Sequence, residues 1–310
     1  MKKQIVALAA LLAGALLGGA RPARPGSQQD APPRTIRVQT DLVSILASVT
    51  DANGKPIPDL TQDAFRLSEE NVPQKIERFE AETNRPLDLV LMVDSSMSTF
   101  KDLKFEETAA AHFIQQVVRP GDTLCVYEFS DSVIALSHFT DNVPQLEEAT
   151  KHIEPGAGTS MYDAIVTGAN ALRRRPPDRR RALVLVTDAG ETTSDSIFED
   201  ARHAAIASGA LLYSVVIRPV KNENGRNTAG EHALITMMDS AGGDFFILDE
   251  MNQLAQIFDK INRELRTQYL LEYYPQPAPP PGSDRHVSVT VTGGYIVRAR
   301  TEYFTASAPR

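Results

Sequence analysis

Five oxygen-bearing side chains are the strongest candidates for chemistry in this sequence. They follow two apolar segments and one glycine-rich loop, and they are Asp94, Ser96, Ser98, Thr159 and Asp188. The first three come directly after the apolar run Leu89–Val93, and the last comes directly after Leu183–Thr187. Carboxylate and hydroxyl oxygens are the ligands that Mg²⁺, Mn²⁺ and Ca²⁺ prefer in proteins. The chemistry predicted here is therefore the binding of one divalent cation, with Mg²⁺ as the first expectation.

The elements that must position these residues alternate between strands and helices. Leu87–Val93 is almost continuously apolar, which is typical of a strand buried on both faces. Phe105–Val117 then repeats apolar residues at helical spacing, and further strand-like and helix-like runs alternate as far as Leu248. This alternation predicts a doubly wound α/β fold with a mostly parallel sheet. Such sheets bind ligands beyond the carboxyl ends of their strands, where the strand order reverses.

The segments on either side of this α/β core are rich in β-strand patterns. Residues 35–83 contain the alternating run Val43–Val49 and two further short segments, around Phe65–Leu67 and Lys75–Phe79. Residues 269–304 alternate in the same way. Each segment alone is too short to bury a core of its own. We therefore expect the two segments to join into one small β module.

The predicted organisation of the whole chain follows from these patterns. Lys2 and Lys3, an apolar run and Gly18-Gly19-Ala20 predict a secretory signal peptide, because the apolar run is short for a helix that spans a membrane. An uncleaved anchor is the alternative, and no stable membrane span is expected after cleavage. The expected divisions are a signal peptide 1–20, a disordered linker 21–34, a β segment 35–83, an α/β domain 84–268, a β segment 269–304 and a tail 305–310. The mature protein is expected to be periplasmic or extracellular.

The candidate site also resembles a known family. An Asp-x-Ser-x-Ser motif after one apolar strand, a Gly-Thr pair before a helix and a Thr-Asp pair after another strand are similar to the metal-ion-dependent adhesion site of von Willebrand factor type A domains. In the order of that family, the matching residues are Asp94, Ser96, Ser98, Thr159 and Asp188. The resemblance implies a Rossmann-like fold, a bound Mg²⁺ (or Mn²⁺ or Ca²⁺) and a protein partner that offers an Asp or Glu carboxylate.

This chain departs from the family pattern at two positions. Ala157 stands where the family often has the first glycine of Gly-Gly-Thr, and Ala189 stands where a glycine often follows the aspartate. Neither change removes a ligand, although Ala189 is expected to stiffen the loop and to shift the Asp188 carboxylate slightly. Stretches such as Leu60–Phe65 and Leu265–Tyr269 also resemble an acidobacterial-type subgroup of proteins related to this family.

Composition argues against several other classes of function. The formal net charge is −8, and the densest basic run, from Arg173 to Arg181, is interrupted by two prolines and an aspartate. We interpret that run as a solvated loop, and we expect no nucleic-acid partner. The single cysteine, Cys125, lies within an apolar run and is expected to be buried filler.

Three functional hypotheses remain open at this stage. The first is a non-enzymatic binding protein that captures a carboxylate-bearing partner through its metal. The second is a structural or secretion-associated envelope scaffold in which the metal is not essential. The third is a hydrolase, which is disfavoured because no histidine stands beside Ser95 or Ser160 in the sequence.

Overall fold

The computed structural model describes residues 42–81, 85–97, 103–218 and 227–306. The strands within these residues are β1 (Val43–Thr50), β2 (Phe65–Glu69), β3 (Val72–Gln74), β4 (Arg78–Glu80), β5 (Leu87–Asp94), β6 (Thr123–Phe129), β7 (Val133–Ala135), β8 (Arg180–Thr187), β9 (Leu211–Ile217), β10 (Gly243–Leu248), β11 (Tyr269–Tyr273), β12 (Asp284–Val291), β13 (Ile296–Ala299) and β14 (Glu302–Phe304). The helices are α1 (Leu103–Val117), α2 (Val143–Thr150), α3 (Met161–Arg173), α4 (Phe198–Ser208), α5 (Thr228–Ala241) and α6 (Leu254–Arg266). The predicted signal peptide, the predicted linker and Ser98 lie outside the described residues.

The central sheet is mostly parallel. Its strand order is β10-β9-β8-β5-β6-β7, and β7 alone runs antiparallel to its neighbour. Every residue of β5 is buried, as its continuous apolar run predicts. Counted along the chain from β5, the first core strand (β5) lies beside the fourth (β8), which is the doubly wound arrangement. The fold class predicted from the sequence is confirmed.

Helices cover both faces of this sheet. Successive residues of β5 point to opposite faces, so β5 contributes side chains to the apolar core on each side. Leu89 and Leu91 belong to an apolar core that includes Phe113 of α1 and Phe258 of α6. Those two aromatic rings are stacked, with centroids 4.4 Å apart. The other face holds a second core, formed with α3, α4 and α5, to which Met92 belongs.

Two four-stranded antiparallel sheets form the β module. Their orders are β13-β1-β11-β4 and β14-β12-β2-β3, so each sheet combines strands from before and after the α/β core. In the first sheet Ile45 lies opposite Leu271, and in the second Leu67 lies opposite Val289. The two sheets share one apolar core. Neither flanking segment forms a sheet alone, since the strands of each complete the sheets of the other.

One detail of the strand pattern differs from the sequence-based expectation. The sequence pattern predicts one segment around Lys75–Phe79, but β3 ends before this stretch and β4 begins at Arg78. These two strands belong to different sheets, so the chain must leave one sheet and enter the other between them. Ile76 lies at this crossing with 9% exposure and contributes to the shared core.

The interpretation of the basic run as a solvated loop is wrong for several of its arginines. Asp88 of β5 is fully buried, and Arg175 and Arg179 reach it at 2.9 Å and 2.8 Å. Burial raises the pKa of Asp88, but the hydrogen bonds from Arg175, Arg179 and Thr123 outweigh burial, so its pKa is lowered. Arg180 is also buried and donates to the carbonyl of Leu265 at 2.5 Å. The run therefore neutralises a carboxylate and ties α6 to the sheet.

Cys125 is expected to be unreactive in the folded protein. Its side chain is buried in β6, and burial raises the pKa of its thiol to about 11. At pH 8 the thiolate, which is the reactive form, is then a very small fraction of the total. A thiol-specific reagent such as dithionitrobenzoate should label the native protein far more slowly than the urea-unfolded protein. Equal labelling rates in the two states would show that the thiol is exposed.

Candidate metal centre

The candidate site lies where the strand order of the central sheet reverses. That reversal falls between β5 and β8, which are adjacent and parallel. Asp94 is the last residue of β5, and Asp188 comes directly after β8. Because parallel strands end at the same edge of the sheet, both carboxylates lie at the carboxyl edge, where doubly wound folds bind ligands. Ser96 stands at the same edge, in a single bridge with Gly156.

Asp94 is held in place from two sides. Asp94 is buried, with only 1% of its surface exposed. The backbone amide of Ser96 donates to its Oδ1 at 2.9 Å, and the hydroxyl of Thr187 donates to its Oδ2 at 2.6 Å. The orientation of this carboxylate is therefore fixed by the last residue of the neighbouring strand.

The electrostatics of Asp94 indicate a site with excess negative charge. Burial raises the pKa of Asp94 to about 6, although hydrogen bonds from Ser96 and Thr187 act in the opposite direction. The negative charge of Asp188 raises the pKa further. Two acidic groups thus lie close together with little access to solvent, an arrangement that a cation stabilises.

The glycine-rich loop that carries Thr159 is fastened by Asp131. The amides of Ala157 and Gly158 donate to the two carboxylate oxygens of Asp131 at 2.8 Å and 2.9 Å. A Cβ atom on Gly158 would lie 2.7 Å from that carboxylate and 2.5 Å from the methyl group of Thr193. Any larger residue at position 158 would therefore force the loop away from its support, and this explains the requirement for glycine.

Thr159 is further joined to the loop that follows Asp188. Its amide donates to the hydroxyl of Thr192 at 2.9 Å, and its carbonyl accepts from the amide of Thr192 at 2.9 Å. Gly190 donates through its amide to Asp188 Oδ1 at 2.8 Å. A Cβ atom on Gly190 would lie 2.9 Å from that same oxygen and 3.4 Å from the hydroxyl of Thr159. The Asp188 carboxylate and the Thr159 hydroxyl therefore face the same small volume.

Ala189, one of the two departures from the family pattern, has an unusual backbone. Its φ angle is 62°, in the left-handed region that favours glycine. The methyl group is nevertheless buried and belongs to the core beneath α3, α4 and α5. Burial of a methyl group offsets a backbone cost of about 1 kcal/mol. The position thus tolerates alanine in spite of its backbone conformation.

The residues present fit a hard divalent cation. Asp94, Ser96, Thr159 and Asp188 are all at most 5% exposed, and the structure brings them to one edge of the sheet. They offer two carboxylates and two hydroxyls, which is an all-oxygen donor set suited to Mg²⁺, Mn²⁺ or Ca²⁺. Among the residues that the structure describes, no group of three His, Cys, Asp or Glu side chains could hold a metal. Ser98, the fifth predicted ligand, lies outside them.

Two supporting residues were missed in the sequence analysis. Thr187 orients Asp94, and Asp131 fixes the loop of Thr159. Both follow the rule that identified the ligands, since Thr187 ends β8 and Asp131 comes two residues after β6. Applying that rule to β6, which carries no family motif, would have found Asp131, whereas Thr187 already stands in the Thr-Asp pair after β8 and its role depends on the strand order.

Replacing Thr187 by valine is expected to lower the free energy of unfolding by about 1–3 kcal/mol. Valine has the same shape, but it removes the hydrogen bond to Asp94 Oδ2 and the one that Thr187 Oγ1 accepts from the amide of Ala189 at 3.0 Å. Urea denaturation measures the change. Thr290→Val, at an exposed strand position, is the matched control and should have little effect. A Thr187→Val protein as stable as the wild type would show that Thr187 does not support Asp94.

Comparison with known proteins agrees with the fold. Residues 89–191 match the family model of the von Willebrand factor type A domain. No curated protein sequence matches the chain. Among solved structures, the von Willebrand factor type A protein from Catenulispora acidiphila aligns with a TM-score of 0.52 and 10% identity, over 86% of this chain and 74% of its own. This similarity concerns the fold.

Two further solved structures cover a smaller part of this chain. BatB from Bacteroides thetaiotaomicron aligns with a TM-score of 0.46 and 14% identity, over 58% of this chain and 100% of its own. The von Willebrand factor domain of the type V pili tip protein Mfa5 from Porphyromonas gingivalis aligns with a TM-score of 0.48 and 13% identity, over 58% of this chain and 95% of its own.

The von Willebrand factor type A match lies within the α/β part of this chain, at residues 89–191, and the fold of this part is that of von Willebrand factor type A domains. Within the described residues, this part has six α-helices and a mostly parallel sheet. Across the part of the chain that the structure describes, no helix has the length and apolar character needed to cross a membrane.

Proposed function

We propose that this protein captures a protein partner through a divalent cation held by its von Willebrand factor type A domain. The ligands proposed for the cation are Asp94, Ser96, Ser98, Thr159 and Asp188. The observation that carries the proposal is the pair of carboxylates at the switch point of the sheet, where the charge of Asp188 acts on the buried Asp94. Mg²⁺ is the proposed ion, with Mn²⁺ and Ca²⁺ as alternatives.

The chain's own residues provide a rigid frame for this task. Thr187 and Ser96 orient Asp94, Gly190 orients Asp188, and Thr192 holds the backbone of Thr159. With a cation bound, the site would supply an open coordination position for an Asp or Glu carboxylate of the partner. The net charge of −8 opposes such a partner at long range, so attraction must be local to the site.

We further propose that the site binds and does not catalyse. The serines beside the site are engaged without a base. Ser95 donates to the carbonyl of Phe129 at 3.4 Å, and Ser160 contacts the carbonyl of Asp131 and the hydroxyl of Thr193. A nucleophilic serine needs a neighbouring base that accepts its proton. These contacts favour a binding protein over a hydrolase.

A capture experiment from an envelope extract tests the proposed function. The wild-type protein, immobilised as bait, is compared in Mg²⁺ and in chelator, alongside Asp94→Ala. Asp178→Ala, in an exposed loop, is the matched control. We expect partners that are retained only in Mg²⁺, and only by the wild type and the control. Capture that is indifferent to chelator and to Asp94→Ala would instead support the scaffold hypothesis, in which the metal is not essential.

We also propose that the protein is exported and acts in the periplasm or outside the cell. The support for this is the charged, apolar and small-residue pattern of residues 1–20. The mature chain is expected to begin at Arg21. Mass spectrometry of the natively produced protein gives its N-terminus directly, and an intact Met1 in a membrane fraction would contradict export of a cleaved protein.

A further inference from the structure

A pocket between the turn after β1 and the side of α6 is lined by an unusual number of cations. Its volume is about 560 Å³. The basic residues of this pocket, called here the basic pocket, are Lys55, Arg119, Lys260, Arg263 and Arg266. The other lining residues are neutral, and none of them is acidic. In a chain of net charge −8, this is a marked local concentration of positive charge.

The basic pocket lies at the end of the sheet opposite the candidate metal centre. Arg119 precedes β6 and thus stands near the amino ends of the parallel strands, whereas Asp94 and Asp188 stand at their carboxyl ends. Arg266 confirms this placement, since it pairs with Asp122, which directly precedes β6. A ligand of the basic pocket would therefore be independent of the metal and of its partner.

Helix α6 presents its cations on one face because of its apolar pattern. Ile257, Ile261 and Leu265 are buried in the core of the α/β domain. Lys260 and Arg263, three residues apart, share the exposed side and line the pocket. The helix therefore cannot rotate these cations away without exposing its core residues.

The opposite wall of the pocket is a fixed turn. Asp51 accepts hydrogen bonds from the amides of Asn53 and Lys55 at 2.8 Å and 2.9 Å. Gly54 adopts a φ of 75°, which the turn requires. Pro56 and Pro58 continue the wall and restrict the backbone further. Lys55 thus extends from a rigid backbone towards the cations of α6.

Most of this positive charge forms no ion pair within the described residues. Arg266 pairs with Asp122 at 2.8 Å, and its guanidinium also donates to the carbonyl of Val117. Within the described residues, the other four cations of the pocket form no ion pair, and all four are exposed. Burial lowers the pKa of Arg266, the Asp122 charge opposes this effect, and the charge of Arg119 lowers the pKa further. Arg119 and Arg266 therefore repel each other.

Stabilisation of the helix dipole does not account for the whole cluster. Arg263 and Arg266 lie in the last turn of α6, where basic residues are favourable. Lys55 and Arg119 belong to other segments, and Lys260 lies before that turn. Three separate segments place their cations around one cavity, where a shared anionic ligand would stabilise all of them together.

We propose that the basic pocket binds a phosphate or diphosphate group. Guanidinium groups match the paired oxygens of a phosphate, and several cations around one cavity favour an anion with more than one charge. Free polyphosphates and the phosphate head groups of lipids share this chemistry. The exposed and neutral walls leave room for a group attached to the phosphate.

Calorimetric titration with inorganic pyrophosphate tests the proposal. The measurement is made on the full chain in chelator, so that no divalent cation links pyrophosphate to the metal centre. We expect Lys260→Gln/Arg263→Gln to bind pyrophosphate about tenfold more weakly than the wild type. The control is Arg173→Gln/Arg174→Gln, which removes the same charge from two exposed residues at the end of α3, on the other face of the sheet. Its affinity should stay within about twofold of wild type.

Two outcomes would overturn the proposal. One is the absence of pyrophosphate binding at millimolar concentration, and the other is an equal loss of affinity in both double variants, which would indicate the general charge of the surface. A second arm measures sedimentation with phosphatidylglycerol vesicles. A lipid head group is the source of the phosphate if the protein binds vesicles more strongly than pyrophosphate and if Lys260→Gln/Arg263→Gln abolishes the binding to vesicles. Stronger binding to pyrophosphate identifies a soluble ligand.

Discussion

Asp94→Ala is expected to abolish the binding of Mg²⁺ and Mn²⁺ while the protein remains folded. The carboxylate is one of the two negative charges at the switch point of the sheet, and its loss leaves mainly neutral hydroxyls to hold the ion. Hard divalent cations bind weakly without carboxylates, so we expect affinity to fall by about 100-fold or more. Isothermal titration calorimetry with each ion measures this loss. Thr159→Ala, which removes a neutral ligand, should weaken binding less.

Stability measurements separate the loss of a ligand from the loss of the fold. The central sheet is held by two apolar cores, neither of which contains Asp94. In metal-free protein the raised pKa, about 6, means that the folded state binds the Asp94 proton more tightly than the unfolded state does. Wild-type stability without metal should therefore decrease as the pH rises from about 4 to 6, and Asp94→Ala should lack that decrease.

Two results would contradict this account of the site. Equal affinities of the wild type and Asp94→Ala for Mg²⁺ and Mn²⁺ would place the ion elsewhere. The mutation removes a buried charge and should leave the protein folded. An Asp94→Ala protein that unfolds at neutral pH would therefore show that Asp94 is a structural residue. Asp178→Ala, at an exposed loop position, should match the wild type in both measurements.

The sequence was informative about the α/β domain because its strands are buried on both faces. A strand such as β5 needs apolar residues at nearly every position, and Asp94 ends the apolar run. Since this polar residue falls where the apolar run ends, the same pattern marks both the strand and the edge of the sheet that binds ligands. The candidate ligands could be predicted for this reason, and Ser98 remains a prediction.

Long-range polar contacts could not be predicted in the same way. Asp88 interrupts the apolar run of β5, and its partners Arg175 and Arg179 lie far along the chain. No local pattern links an acid in one strand to a basic run before another strand. The basic run was consequently interpreted as a solvated loop, although it neutralises a buried carboxylate. The orientation of Asp94 by Thr187 depends on strand order for the same reason.

The β module shows a second limit of sequence patterns. Alternation identifies a strand and its buried face, but it does not identify the neighbouring strand. That β11 lies between β1 and β4 follows only from the whole set of pairings. The crossing of the chain from one sheet to the other after Gln74 also depends on these strand pairings. The domain boundaries derived from these patterns remain predictions.

Tyr269→Ala is expected to lower the free energy of unfolding by about 3–5 kcal/mol. Tyr269 begins β11 and is fully buried between the sheets of the β module. Its ring lies 5.0 Å from that of Phe65 and 5.9 Å from that of Phe79. Its hydroxyl donates to the carbonyl of Ile57 at 2.6 Å and accepts from the amide of Leu60 at 3.1 Å. Urea denaturation measures the total loss.

Two matched variants divide this effect into its causes. Tyr269→Phe keeps the ring and removes only the hydroxyl contacts, so we expect a loss of about 1–3 kcal/mol. Tyr274→Ala changes an exposed tyrosine five residues later and should alter stability by less than about 0.5 kcal/mol. Hydrogen exchange locates the damage: Tyr269→Ala should reduce protection in β1 and β2, which come from the other end of the chain. If protection fell only within β11 to β14, the two flanking segments would be independent units and the shared core of the module would be refuted.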